Sequence, residues 1–221
     1  MSVLKSFSMK KITLLFLLCL PIVLLSQVFT FKVNGQNHRI LMDNNYLIET
    51  VFMKNDGTFI LSRGGYYIKT ANGIDITFEF NSNYALDSLT SFRYSLNKTW
   101  KNISQSSQVL EGKWLMAGRV KAEGEQRRDL TASRKTLKFL LDGYFQWTAF
   151  DAKSMRFMGS GGGTYSAQNK EYIETLDYFS RDNTKVGKML PFDFLQKDDD
   201  WYHKGLNSKG KLMHEIWHKR I

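Results

Sequence analysis

The sequence predicts an all-β, antiparallel protein. Aromatic and β-branched residues occur in short runs, and turn residues such as Asn55-Asp56-Gly57 and Asn72-Gly73 separate these runs at regular spacing. In the run 74–80, apolar side chains alternate with polar ones, which is typical of a strand with one buried face. We therefore expect many short strands joined by tight turns.

An internal repeat organises the chain. A shift of 98 residues aligns 46–83 with 144–181 without a gap, and ten of the 38 aligned positions are identical. We predict a truncated, β-rich N-terminal copy at 27–107, lacking an opening strand, and a complete copy at 108–221. The first copy forms an open half-barrel or shares strands with the second, and one large closed sheet is the architectural alternative.

The first 26 residues are predicted to be a secretory signal peptide. Lys10 and Lys11 precede an apolar run of 14 residues, 12–25, which is shorter than the roughly 20 residues of a membrane-spanning helix. We expect export to the periplasm, the outer-membrane surface or the exterior, without a transmembrane span. Cys19, the one cysteine, lies in this segment, so the exported chain has no disulfide.

The remaining sequence is moderately basic. Residues 27–221 contain 28 lysines and arginines against 21 aspartates and glutamates, a net charge near +7. Positive charge favours anionic partners. For an exported chain we expect an anionic envelope surface as the partner, and not a nucleic acid.

The second copy opens with Gly112-Lys113-Trp114, a G-x-W pattern, and closes about a hundred residues later with Arg220. This resembles the lipocalin-like, or calycin, barrels. The runs 162–165, 172–174 and 215–217 are similar to small secreted lipocalin-like domains of unknown function from Gram-negative bacteria. The resemblance implies an antiparallel barrel in the C-terminal copy. It also implies that Trp114 closes one end, with Arg220 packed across the indole ring.

The same resemblance implies a non-catalytic binding protein for a small apolar or amphipathic ligand. We expect Glu174 to face the barrel interior and, with a basic residue such as Arg156, to fix the polar end of the ligand. The alternative is a solid barrel filled by its rings, acting as an envelope-associated structural or interaction module with a basic surface. The aromatic side chains expected to contact the ligand are those of Tyr144, Trp147, Tyr165, Tyr172 and Tyr178.

One motif suggests catalysis. The run from His214 to His218 matches H-E-x-x-H, the zinc-protease pattern, which requires a helix. Its position predicts a terminal strand, on which the two histidines share a face and Glu215 points to the other. Incidental zinc binding that also involves His203 is the weaker metal hypothesis. We expect no enzyme activity, no cofactor and no metal.

Two further segments have structural interpretations. The glycine runs 64–65 and 161–163 lack the spacing of a phosphate-binding loop, and we expect them to form β-bulges or tight turns. The polar stretch 121–135 carries Arg127, Arg128, Arg134 and Lys135 and interrupts the strands. A lid or a short helix is expected there.

Overall fold

The computed structural model describes residues 27–95, 100–207 and 209–221. The predicted signal peptide, 1–26, lies outside these ranges. Nearly all regular structure is antiparallel β, which confirms the predicted fold class. No helix within the three ranges has the length and apolar character needed to span a bilayer.

Seven strands form the first sheet, which remains open. Its strands are β1 (Gln27–Val33), β2 (Gln36–Met42), β3 (Tyr46–Met53), β4 (Phe59–Thr70), β5 (Gly73–Asn81), β6 (Ser91–Tyr94) and β7 (Lys101–Asn102). Their order across the sheet is β6-β5-β4-β3-β2-β1-β7. A single helical turn, α1 (Tyr84–Asp87), lies between β5 and β6.

The second sheet closes into an eight-stranded barrel. Its strands are β8 (Gly112–Lys121), β9 (Gly124–Arg127), β10 (Arg134–Leu141), β11 (Tyr144–Asp151), β12 (Arg156–Gln168), β13 (Glu171–Phe179), β14 (Met189–Lys197), β15 (Asp200–Leu206) and β16 (Leu212–Arg220). Pairing of β10 with β8 closes the barrel, and β9 extends β8 as a hairpin outside the closed ring. The stretch 121–135 therefore contains a strand and not a helix.

The glycine runs form bulges, as predicted. The register between β12 and β13 shifts at Gly162 and Gly163, and that between β4 and β5 shifts at Gly64 and Gly65. A side chain on Gly163 would overlap the carbonyl oxygen of Thr175. The bulge leaves Asp177 without a register partner, so the alternation of faces reverses after it.

The first sheet packs against the outside of the barrel, in part through two residues that are 98 positions apart in the sequence. Phe59 and Phe157, which are 98 residues apart, stack with ring centroids 5.6 Å apart. Between the sheets, buried Gln146 accepts a hydrogen bond from Thr50 at 2.7 Å and donates one to Ser62 at 2.8 Å. An apolar layer and a polar network thus join the sheets.

The first sheet also has an opening strand, contrary to our expectation. β1 lies beside β2 as β8 lies beside β10, and in each sheet these two strands precede the segments 46–83 and 144–181 that align in the sequence. The two-residue strand β7 lies beside β1 as β16 lies beside β8. In the described ranges no strand joins β7 to β6 as β15 joins β16 to β14, so the first sheet stays open while the second closes into a barrel. The single joint sheet is not formed, and the boundary at 107/108 stays a prediction.

Candidate functional site

One end of the barrel is closed by aromatic packing. Trp114 on β8 is 1% exposed, and its indole Nε1 donates a hydrogen bond to the carbonyl of Leu110 at 2.7 Å. The ring meets Trp201 of β15 edge-on, with 5.7 Å between centroids. Trp114 therefore helps to close one end of the barrel, as the resemblance implied, and side chains fill that end.

The other half of the barrel contains an open cavity of about 330 Å³. This volume lies at the lower end of the roughly 300–1,000 Å³ found for small-molecule sites. Most of its wall is apolar, with a few charged groups at the mouth and at depth. The apolar wall includes Met116, Trp147, Ala149, Leu176, Phe179, Leu190, Phe192, Leu206, Met213 and Trp217.

Four arginines surround the mouth of the cavity. They are Arg119 on β8, Arg128 and Arg134 at the connection into β10, and Arg181 after β13. Arg119 lies 3.5 Å from Glu215, whereas the other three form no salt bridge with any residue in the described ranges. The mouth therefore holds an excess of positive charge.

The surroundings of Arg128 and Arg181 differ. Although Arg128 is exposed, the protein atoms around it partly desolvate its guanidinium, and this, together with the charges of Arg119 and Arg134, lowers its pKa from the ordinary value. The Arg181 guanidinium donates to the carbonyl of Met158 at 2.7 Å and lies 5.6 Å from the centre of the Trp147 ring. An anion at the mouth would relieve the repulsion among these like charges.

A buried ion pair lies on the cavity floor. Lys138 of β10 and Glu174 of β13 are 3% and 4% exposed, and Lys138 Nζ donates to Glu174 Oε1 at 2.7 Å. The hydroxyl of Tyr172 donates to the same oxygen at 2.9 Å. Lys138 Nζ also lies 5.1 Å from the Trp201 ring centre and 5.0 Å from that of Trp217. Glu174 therefore faces the interior as predicted, and Lys138 and Tyr172 already supply its hydrogen-bond donors.

His203 of β15 also points into the barrel. It is 1% exposed, and neither ring nitrogen has a hydrogen-bond partner among the described residues. Burial, and then the charge of Lys138, depress the pKa of His203 well below its ordinary value. The imidazole is thus neutral at physiological pH and packs as an aromatic ring against Phe192, with centroids 4.1 Å apart.

Two predicted partnerships are wrong. Arg156 lies exposed at the start of β12 and is not part of the cavity lining, and Lys138 holds Glu174 in its place. Arg220 does not cover Trp114. The register sets Trp114 opposite Lys219, which leaves Arg220 on the outer face of the barrel. There it pairs with Glu79 of the first sheet at 2.8 Å.

The predicted ligand-contacting rings divide between two faces. Trp147 lines the cavity, and Tyr165 and Tyr172 are packed in the barrel core below it. Tyr144 and Tyr178 face the first sheet instead: the Arg39 guanidinium lies 4.9 Å from the Tyr144 ring centre, and Phe52 stacks on Tyr178. The bulge at Asp177 turns Tyr178 outward and brings Phe179 into the cavity.

The H-E-x-x-H motif lies on a strand and not on a helix. His214 and His218 belong to β16, and Glu215 between them lines the cavity. Over the residues for which the structure gives positions, no group of three or more His, Cys, Asp or Glu side chains is arranged to hold a metal. His218 instead bonds Asp200 at 2.8 Å.

Sequence reasoning did not assign Lys138 or the four mouth arginines to the ligand site. Lys138 is the single cation in the apolar run 137–141, and alternation from Leu140 places it on the inner face. Arg128 and Arg134 lie in the stretch 121–135, for which a lid or a short helix was expected, and Arg119 and Arg181 lie near the ends of β8 and β13. The alternation that places Lys138 inside and the arginines near strand ends are both visible in the sequence. Only closure of the barrel brings these residues to one cavity.

Comparison of the chain with known protein families and with curated proteins found no match.

Proposed function

We propose that the barrel binds one small amphipathic molecule, with its apolar part in the cavity and an acidic group at the arginines of the mouth. The observation that carries this proposal is a cavity of about 330 Å³ with an apolar wall and a cationic rim. Concave apolar sites with a few converging polar groups are the usual architecture of small-molecule binding.

The apolar part of the ligand follows from the wall. Trp147, Phe179 and Leu176 present rings and aliphatic carbon to the cavity. Removing apolar ligand surface from water stabilises a complex by about 25 cal/mol per Å². A fully polar ligand would lose its hydration against these groups without gaining hydrogen bonds, so it is disfavoured.

The acidic group follows from the charge at the mouth. Arg128, Arg134 and Arg181 line the cavity without a carboxylate partner among the described residues. Guanidinium groups bind carboxylate, phosphate and sulfonate oxygens in a bidentate manner. The chemistry that these ligands share is an acid on an apolar body.

The wider assignment is part of the same proposal. The antiparallel eight-stranded barrel supports a lipocalin-like fold, and we propose export and a non-catalytic role on the sequence alone. An internal duplication is supported by contacts that recur 98 residues apart: Ser62 N donates to Ser82 Oγ at 2.9 Å, and Ser160 N donates to Ser180 Oγ at 2.8 Å. The solid-barrel alternative required a filled interior, and the cavity disfavours it.

Two dyes test the proposal. Anilinonaphthalene sulfonate carries an acidic group on an apolar ring system, and N-phenyl-naphthylamine has the same rings without the acid. We expect both to fluoresce in the cavity of the purified protein and to displace each other. The sulfonate should bind more tightly, and its advantage should shrink with added salt because the mouth arginines are exposed.

Variants separate the two parts of the site. The double substitution Arg128→Ala, Arg134→Ala should weaken sulfonate binding roughly tenfold, about 1.4 kcal/mol, and leave the neutral dye unaffected. Arg156→Ala is the matched control, an exposed arginine at the same end of the barrel outside the cavity. Ala149→Leu should reduce binding of both dyes by filling the cavity. Equal loss of sulfonate binding in Arg156→Ala and the double variant would contradict the proposed mouth.

A further inference from the structure

Three exposed apolar side chains lie together beside the cavity mouth. Met189, Leu206 and Leu212 are 65%, 51% and 82% exposed, and all three line one apolar groove of about 390 Å³. The groove shares Leu176 and Leu190 with the cavity, so the two are adjacent. Single exposed apolar residues are ordinary, but a cluster of them marks an interaction surface. We name Met189, Leu206 and Leu212 the apolar rim.

Basic residues surround the apolar rim. Lys185 and Lys188 line the same groove. Taken together, the four segments at the open end of the barrel, 119–134, 151–156, 179–189 and 204–215, contain thirteen lysines and arginines against six aspartates and glutamates. The open end is therefore strongly cationic.

The closed end lacks this excess of positive charge. Its hairpin connections at 142–143, 168–171 and 197–200 contain two lysines against five aspartates and glutamates. With Glu111, Lys113, Lys219 and Arg220, where β8 begins and β16 ends, the closed end holds five basic and six acidic residues. Positive charge is therefore concentrated at the open end, which an anionic surface would attract. The apolar rim lies at that same end.

We propose that the open end of the barrel docks on an anionic lipid surface. The apolar rim enters the headgroup region, and the surrounding lysines and arginines bind lipid phosphates. Apolar side chains inserted among cationic ones are the pattern of peripheral membrane binding, in which burial and charge act together. A nucleic acid would use the cations alone and leave Leu212 in water, so lipid fits the surface better.

Docking in this orientation sets the cavity mouth against the bilayer. If the proposed function holds, an amphiphile passes between bilayer and cavity without crossing bulk water. The docking itself does not depend on that ligand. Met189 and Leu212 do not line the cavity, so their substitution separates membrane docking from ligand binding.

Vesicle sedimentation tests the docking. The purified protein is mixed with vesicles of phosphatidylcholine alone, or of two parts phosphatidylcholine to one part phosphatidylglycerol. We expect binding to the anionic vesicles only, with affinity falling as salt is added. The double substitution Met189→Asp, Leu212→Asp should weaken that binding at least tenfold while dye binding in the cavity is unchanged. Lys185→Ala and Lys188→Ala should each weaken it about fivefold.

Matched controls are available elsewhere on the surface. Leu195 and Ile68 are 56% and 68% exposed and lie away from the apolar rim, on β14 and β4. The double substitution Leu195→Asp, Ile68→Asp should bind vesicles as the unmodified protein does. Unchanged urea-unfolding midpoints show that all variants fold.

Three results would overturn the docking. The first is no binding to anionic vesicles, and the second is equal binding by the rim variant and the unmodified protein. The third is a protein complex that the rim variant abolishes while vesicles are ignored, which would assign the surface to a protein partner. Loss of dye binding with intact vesicle binding would refute the proposed function and leave the docking in place.

Discussion

Removing one partner of the Lys138–Glu174 pair should destabilise the barrel far more than removing both. Both groups are almost fully buried, and Lys138 Nζ donates to Glu174 Oε1 at 2.7 Å. Lys138→Met keeps the aliphatic volume but leaves the carboxylate with Tyr172 as its remaining donor within the described structure. Stranding a buried charge in this way costs about 3–5 kcal/mol.

The double substitution Lys138→Met, Glu174→Leu removes both charges. Replacing a buried ion pair by apolar side chains of similar volume is often neutral or stabilising. We therefore expect the free energy of unfolding of this variant to lie within about 1 kcal/mol of the original or above it. The two substitutions should thus show a coupling energy of several kcal/mol, because neither charge is tolerated without the other.

The unmodified protein, the single variants Lys138→Met and Glu174→Leu, and the double variant form a cycle of four proteins. Their free energies of unfolding are measured by urea titration followed by tryptophan fluorescence, since Trp201 and Trp217 lie beside the pair. Additive effects, or a single variant as stable as the original protein, would refute the reasoning.

Three further perturbations have defined outcomes. Burial raises the pKa of Glu79, but the hydrogen bond and charge of Arg220 outweigh it and hold the pKa below its ordinary value. The stability that the Arg220–Glu79 pair contributes is present above about pH 4.3 and is lost as the pH falls through the folded-state pKa of Glu79. Arg220→Gln should therefore lower the free energy of unfolding by about 2–3 kcal/mol at neutral pH and make it depend less on pH in the acid range. Below about pH 6.5 the unfolded chain protonates His203 and the folded protein does not, so the free energy of unfolding falls as the pH falls. His203→Phe should make this fall smaller. Gly163→Ala should prevent barrel closure or lower the unfolding midpoint severely, which circular dichroism and urea titration would show, because the new Cβ would overlap the Thr175 carbonyl.

The sequence predicted the fold where local rules decide the structure. Alternation in 74–80 produced β5, and the paired glycines produced the bulges in β4 and β12. These features depend on side-chain period and on missing Cβ atoms, which are visible in a short window. Alternation alone also separates Tyr144 from Trp147, three residues later, so assigning both to one cavity was an avoidable error.

The site depended on contacts that no short window contains. The bulge at Asp177 reverses the faces of Tyr178 and Phe179, and its position depends on pairing with β12. Lys138 reaches Glu174 across the barrel from a strand 36 residues earlier. The outward direction of Arg220 follows from its register with Lys113 and from Glu79 on the other sheet. Closure and packing set these partners, so sequence reasoning named plausible but wrong ones.

Native mass spectrometry of the protein purified from its own host, with organic extraction of the same sample, tests the central claim most directly. We expect one acidic amphiphile per chain, released by Ala149→Leu and weakened by Arg128→Ala with Arg134→Ala. A chain that carries no organic molecule and binds neither naphthalene dye would contradict the proposed function.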